Sequence, residues 1–312
     1  MMGSVRMLPT LVTGVRLADA AKVFLDTFVT RNTRVTYAAA LDRLVADFGP
    51  DTNVALLAGE PDRVAGWFVC MWGNKSAKTF NVRLTALGSA CAYWREQEWL
   101  VGDPLARLRA RSTPPDHSRA LSENEIAEIF ALDVSLRERV LWQLLYETSA
   151  RAEEVLMLDV PDLDTVNRCA TVTRKGGAKD VIAWQTGAAR LLPRMLAGRR
   201  TGPVFLTDRK ARPSTAKTDV DPTTGCARLS YRRAAELFES HTEHMTRGPF
   251  TLHQLRHSRL THAAEKGAST PMLMALSGHS SVRSLGKYAR VSAQALARWQ
   301  AETDPAARRN SR

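Results

Sequence analysis

Two adjacent prolines, Pro114 and Pro115, sit in RLRARSTPPDHSRA, residues 107 to 120, and they forbid a continuous helix there. Proline lacks the backbone N–H, and its ring clashes with the preceding turn. Set among four arginines, the pair reads as an exposed, basic linker that divides the chain. On the N-terminal side, apolar residues recur at helical spacing from Leu17 to about Leu108. Asn32 is a candidate cap for a helix whose Tyr37, Leu41, Leu44, Val45 and Phe48 share one face and which Gly49-Pro50 stops. Pro61 opens a second helix, and Ser76 caps a longer one through SAKTFNVRLTALGSACAYWREQ.

Beyond the linker the period changes. Ser122 and Glu125 have capping-box spacing, and a helix follows from about Ser135 to Glu147. Short β-type pieces at Leu158 to Leu163, Cys169 to Thr173 and Val181 to Trp184 predict a small antiparallel sheet. Helices return at Thr186 to Ala197, Leu229 to His241, Leu252 to Lys266 and Pro271 to Ser277, with short ones after Ser281. The expected fold class is mainly α with a small antiparallel β-sheet: a helical N-terminal domain, then a mixed α+β domain.

The formal net charge is +12, from 44 basic and 32 acidic residues, which points to a polyanionic partner. Nucleic acid leads. Only nine of the 44 basic residues are lysine; arginine suits bidentate phosphate contacts, although a GC-rich genome produces the same bias. The apolar runs fall short of the roughly 20 residues that span a bilayer, and Arg6 and Arg16 interrupt the start before a signal-type apolar core forms. A cytoplasmic location without membrane contact is expected. Cys70, Cys91, Cys169 and Cys226 lie far apart with no CxxC pair, which fits reduced core thiols.

Four stretches of the second half combine into one pattern. They are TSARAEEVLML with Arg151, TRKGGAKD with Lys175, LHQLRH with His253, Arg256 and His257, and SGHSS with His279, followed nine residues later by Tyr288. In order and spacing this resembles the tyrosine recombinase (phage integrase) family of site-specific recombinases. That family's signature is an arginine in a TGLR-like turn, a hairpin lysine, HxLRH, LGH and a tyrosine nine residues on. The resemblance extends from about residue 17 to 303. It implies a short extension at 1–16, a helical core-binding domain of SAM-like type at 17–108, a basic linker at 109–119, a catalytic domain at 120–303 and a basic tail at 304–312.

The chemistry accounts for the residue types. In-line attack on a phosphodiester concentrates negative charge on the non-bridging oxygens, and the guanidinium forks of Arg151 and Arg256 supply planar donors that keep their charge. His253 and His279 add donors to the same phosphate. The resemblance makes Tyr288 the nucleophile, joined transiently to the 3′ phosphate, and Lys175 the general acid for the departing 5′ oxygen. It implies no metal or nucleotide cofactor; Glu153, Glu154 and Asp180 do not form a carboxylate set for paired metals. Arg151 also stands three residues before Glu154, the spacing of an ordinary ion pair. The family hairpin usually reads GKGxKxR, whereas RKGGAKD has Arg174 before the lysine and Asp180 at the final arginine position, leaving Lys179 as an alternative acid. His257 either supports the helix or reaches the phosphate.

In the first domain, Lys78, Asn81 and Arg83 lie on one helix and Arg31 and Arg34 flank a helix start; with Arg109 and Arg111 of the linker they form the candidate DNA-binding set, a solvated basic face being the plain alternative. The implied partner is double-stranded DNA at specific recombination sites. The resemblance further implies a homo-tetramer on two DNA sites, a monomer or dimer off DNA, accessory DNA-bending proteins, and a bacterial or phage-encoded origin with nucleoid association. The alternatives are a catalytically inactive, recombinase-derived DNA-binding protein, a metal-dependent nuclease and a relaxing topoisomerase. Fewer than 17 residues precede the first domain, which favours a simple recombinase over one with an arm-binding domain. After Tyr288, Leu296 and Trp299 lie three apart and predict an apolar stripe on a short helix that must dock somewhere.

Overall fold

The computed structural model describes residues 14–113, 120–174, 177–279, 281–285, 296, 297, 299–301 and 304. The chain separates into two compact units, Met1–Pro114 and Pro115–Arg312, at the proline pair. The first unit is helical: α1 (Leu17–Asp26), α2 (Arg31–Phe48), α3 (Pro61–Trp72) and α4 (Ala77–Glu96). Ser76 Oγ accepts the Thr79 N–H as expected, but α2 begins one residue before Asn32, with Thr30 at the cap position and no side-chain capping bond. Leu17, Leu41, Phe68, Leu87 and Trp94 form the centre of its core. Trp94 is fully buried and donates its indole N–H to Ala20 O at 3.0 Å, so the largest ring also ties α4 to α1.

The second unit starts with α5 (Glu123–Ala131), whose capping box joins Ser122 and Glu125, then α6 (Leu136–Thr148) and the short α7 (Ala152–Leu156). Strands β1 (Leu163–Asp164), β2 (Cys169–Thr173) and β3 (Lys179–Ala183) make an antiparallel sheet in the order β1-β2-β3. The first predicted strand shrinks to two residues because Pro161 lies in a 3₁₀ turn, Val160–Asp162. Next comes α8 (Thr186–Leu196), and then β4 (Leu206–Lys210) and β5 (Cys226–Arg228) form a second antiparallel ladder absent from the sequence reading. Those strands are half-buried except at Asp208, Arg209 and Lys210, and their register is irregular, so no apolar alternation announces them. The chain continues through α9 (Tyr231–Thr242), α10 (Leu252–Glu265), α11 (Thr270–Ser277) and α12 (Val282–Leu285).

Helix α6 is the hub, packing on both α8 and α10. Its Glu147, 4% exposed, accepts the Gln185 N–H at 2.7 Å and the Ala188 N–H at 3.3 Å, serving the open N-terminal donors of α8. A Cβ on Gly187 would stand 2.3 Å from Gln143 Nε2 and 2.5 Å from Glu147 Oε1, so a larger residue there makes these two side chains shift. All four cysteines are free, yet only Cys91 is a core thiol, its pKa pushed up to about 12 by burial; Cys70 is exposed. No helix among the described residues is long and apolar enough to cross a membrane.

On the other flank of α6, Tyr146 donates its hydroxyl to His262 Nδ1 at 2.8 Å, and His262 Nε2–H donates to Leu121 O at 2.9 Å. Both ring nitrogens are thereby used by the neutral imidazole, and burial holds the His262 pKa below its ordinary value. Its stabilisation is complete above the ordinary histidine pKa of about 6.5 and is lost as pH falls through the lower folded value. Urea denaturation between pH 7.5 and 5.5 should therefore show wild type losing stability more steeply than His262→Gln, by up to about 1.4 kcal/mol per pH unit. Equal slopes would mean that His262 does not titrate on unfolding.

Candidate active site

The site grows from two turns and a helix. Helix α6 ends at Ser149, whose φ of +53° lies in the left-handed region that favours glycine; the serine of TSAR accepts that strain where TGLR has glycine. The reversal places Arg151 at the start of α7. There Arg151 N–H donates to Glu154 Oε2 at 2.9 Å and Nη1 donates to Oε1 at 2.7 Å, so the plain ion-pair reading of this arginine holds. Its side chain keeps 39% exposure while Glu154 keeps 5%.

Helix α10 carries LHQLRH. Arg256 is 2% exposed and extends its guanidinium between two turns, donating Nη1 to Ser149 O and Nη2 to Ser277 O at 2.7 Å. His279 follows at once: α11 ends in Gly278 with φ of +61°, and His279 Nε2 then stands 3.4 Å from Arg256 Nη2. One buried cation thus gathers the Arg151 turn and the His279 turn. His253, exposed, and His257, 7% exposed, lie one helical turn apart with ring centroids 4.7 Å apart in edge contact. No three His, Cys, Asp or Glu residues converge as a metal-binding group among the described residues.

The β2-β3 hairpin reaches the same place. Ala170, Val172 and Arg174 share its inward face, and Arg174 donates Nη1 to Glu154 Oε2 at 2.6 Å and Nε to Asp180 Oδ2 at 3.0 Å. Lys179 is exposed opposite Thr173. Lys175 and Tyr288 lie outside the described residues. Arg174 is the side chain whose place the sequence reading missed; an arginine continuing the inward alternation of CATVTR was the available signal.

The chain matches the phage integrase family over residues 119–295. It is 30% identical over 283 residues to the tyrosine recombinase XerC of Mycobacterium tuberculosis, covering 85% of this chain and 90% of that one. The chain belongs to the phage integrase family. This tyrosine recombinase also shares its fold with two solved proteins. They are the Tn1549 transposon integrase in complex with transposon right end DNA (TM-score 0.69, 16% identity, 93% of this chain and 99% of that chain) and the lambda integrase bound to DNA (TM-score 0.66, 15% identity, 88% and 96%).

In the recombinase's first unit the candidate DNA-contacting residues separate into two groups. Arg31, Lys78 and Arg109 are exposed. The others have internal partners: Arg34 pairs with Asp26 at 2.7 Å, Arg83 donates to Thr36 O at 2.8 Å, and Asn81 exchanges two 2.8 Å hydrogen bonds with the Arg111 backbone. The Arg111 guanidinium lies 3.9 Å over the Phe80 ring, so Asn81 and Arg111 fasten the start of the linker to α4.

Arg256→Lys tests the clamp. Lysine keeps the charge but offers one nitrogen, which cannot reproduce the planar fork to two carbonyls. A loss of about 1–3 kcal/mol in urea denaturation is expected; an unchanged midpoint would show that Arg256 does not hold the turns.

Proposed function

We infer that this recombinase cuts and rejoins DNA at specific sites through a 3′-phosphotyrosine formed on Tyr288. The tyrosine oxygen attacks phosphorus, the bond to the 5′ oxygen breaks, and Lys175 supplies the proton that the departing oxygen takes. Arg151, Arg256, His253 and His279 hold the non-bridging oxygens as charge builds on them. The 5′ hydroxyl of a second strand then attacks the phosphotyrosine and releases the enzyme, so the broken bond's energy is kept and no nucleotide is consumed. The supporting observation is the Arg256 clamp: the two carbonyls it binds belong to the turns that present Arg151 and His279.

Duplex DNA is the partner, and on this reading four protomers assemble on two sites, from a monomer or dimer off DNA, with DNA-bending proteins assisting at some sites. On this reading Arg31, Lys78 and Arg109 of the first unit contact the duplex backbone. Leu296 and Trp299 remain 49% and 57% exposed on helical residues. In this reading Trp299 anchors the C-terminal helix in a neighbouring protomer.

Two outcomes test this reading. Tyr288→Phe removes only the attacking oxygen, so affinity for cognate DNA should stay within about twofold while the covalent adduct on a nicked suicide substrate disappears; an adduct at wild-type yield would assign another nucleophile. Trp299→Ala should leave half-site binding unchanged but weaken cooperative filling of a full site by about 30-fold, the equivalent of about 2 kcal/mol for a buried aromatic anchor. Gel-shift titration giving equal cooperativity in mutant and wild type would return this helix to its own subunit.

A further inference from the structure

Arg174 is 8% exposed, and its guanidinium meets three elements at once. Through Nη1 it shares Glu154 with Arg151, which takes the other carboxylate oxygen; through Nε it holds Asp180 on the opposite strand of its own hairpin. Its third neighbour is Gly278. A Cβ at that position would lie 2.4 Å from Arg174 Cζ and 2.6 Å from Nε, so the guanidinium rests on the bare glycine backbone one residue before His279. The hairpin closes immediately beyond, with Arg174 N–H donating to Ala178 O at 2.7 Å and Gly177 N–H to Arg174 O at 2.9 Å.

We propose that Arg174 is a positioning residue that locks the mouth of the β2-β3 hairpin onto the Arg151 turn and the Gly278-His279 turn, and so sets where the hairpin presents its proton donor. This rests on the phosphotyrosine reading above. A hairpin of two five-residue strands is weakly stable alone, so the end of β2 at Arg174 depends on what holds its last inward side chain. Burial leaves Arg174 little freedom, because a guanidinium withdrawn from water must keep its carboxylates. Without Arg174, Glu154 keeps its two bonds from Arg151, whereas the hairpin loses its tie to both turns. Displacing Arg174 therefore costs first the transfer of a proton from the adjoining lysine to the leaving 5′ oxygen.

The test compares two suicide substrates: one with the natural 5′ oxygen and one with a 5′-bridging phosphorothioate, whose sulfur leaves as thiolate and takes no proton. Arg174→Gln should cleave the oxygen substrate about 100-fold more slowly than wild type, the scale of an ångström-sized misplacement, and the sulfur substrate only a few-fold more slowly. The ratio of the two rates is independent of the folded fraction, so it stays readable if the variant is less stable. Asp180→Asn, which loosens one partner, should show the same selectivity with a smaller defect, and Arg174→Lys should recover part of the oxygen rate. A defect equal on both substrates, or none, overturns the proposal. Lys175→Ala and Lys179→Ala run beside it separate the two readings. If sulfur rescues a lysine variant but not Arg174→Gln, Arg174 alone has failed; if it rescues neither lysine, the hairpin acid falls and the proposal with it.

Discussion

A guanidinium removed from water must be surrounded by acceptors, and in this recombinase that requirement organises the catalytic unit. Arg256, buried on α10, satisfies it with the carbonyls of Ser149 and Ser277, which end α6 and lie at the end of α11. These carbonyls are the open acceptors that any helix leaves at its C-terminus. One side chain thus completes two helix ends, fixes the turns beyond them, and brings Arg151 and His279 to its own position. Leaving such a cation without acceptors costs far more than a surface ion pair gains, so the arrangement is held firmly.

Around that centre the charges balance in a definite way. The guanidiniums of Arg151 and Arg174 each take one oxygen of the buried Glu154, and Asp180 holds Arg174 from the other side. Two cations and two carboxylates cancel, and the most exposed of the arginines is Arg151. The network therefore acts as a frame, in which the carboxylates fix the orientation of both arginines. The same economy recurs in the first unit, where Asn81 and Arg111, both chosen from the sequence as DNA contacts, hold the linker start to α4.

How much of this was legible depended on whether the information was local. Helix starts set by short-range chemistry, such as Ser76 and the Ser122-Glu125 box, could be read from the sequence because cap and capped N–H groups lie three residues apart. The cap assigned to Asn32 was misplaced by two positions since backbone geometry at Thr30, not a side-chain bond, begins α2. The β4-β5 ladder went unread because its strands carry no alternation of buried and exposed residues. The motif order from Arg151 to Tyr288 was fully legible, since residue type and spacing are properties of the chain itself.

The sequence by itself determined the division at Pro114-Pro115, the helical first unit, the mixed second unit and the family, because steric exclusion, hydrophobic period and motif spacing act along the chain. The tertiary structure decided which of these residues meet. Arg256 and Ser149 are 107 residues apart, and Arg174 and Glu154 are 20 apart on different elements. Contacts between such distant positions form only when α6, α10 and the β2-β3 hairpin pack on a common core. Whether an arginine faces a phosphate, a carbonyl or a carboxylate is set there, by which acceptors the packing brings within reach of a charge that cannot be left alone.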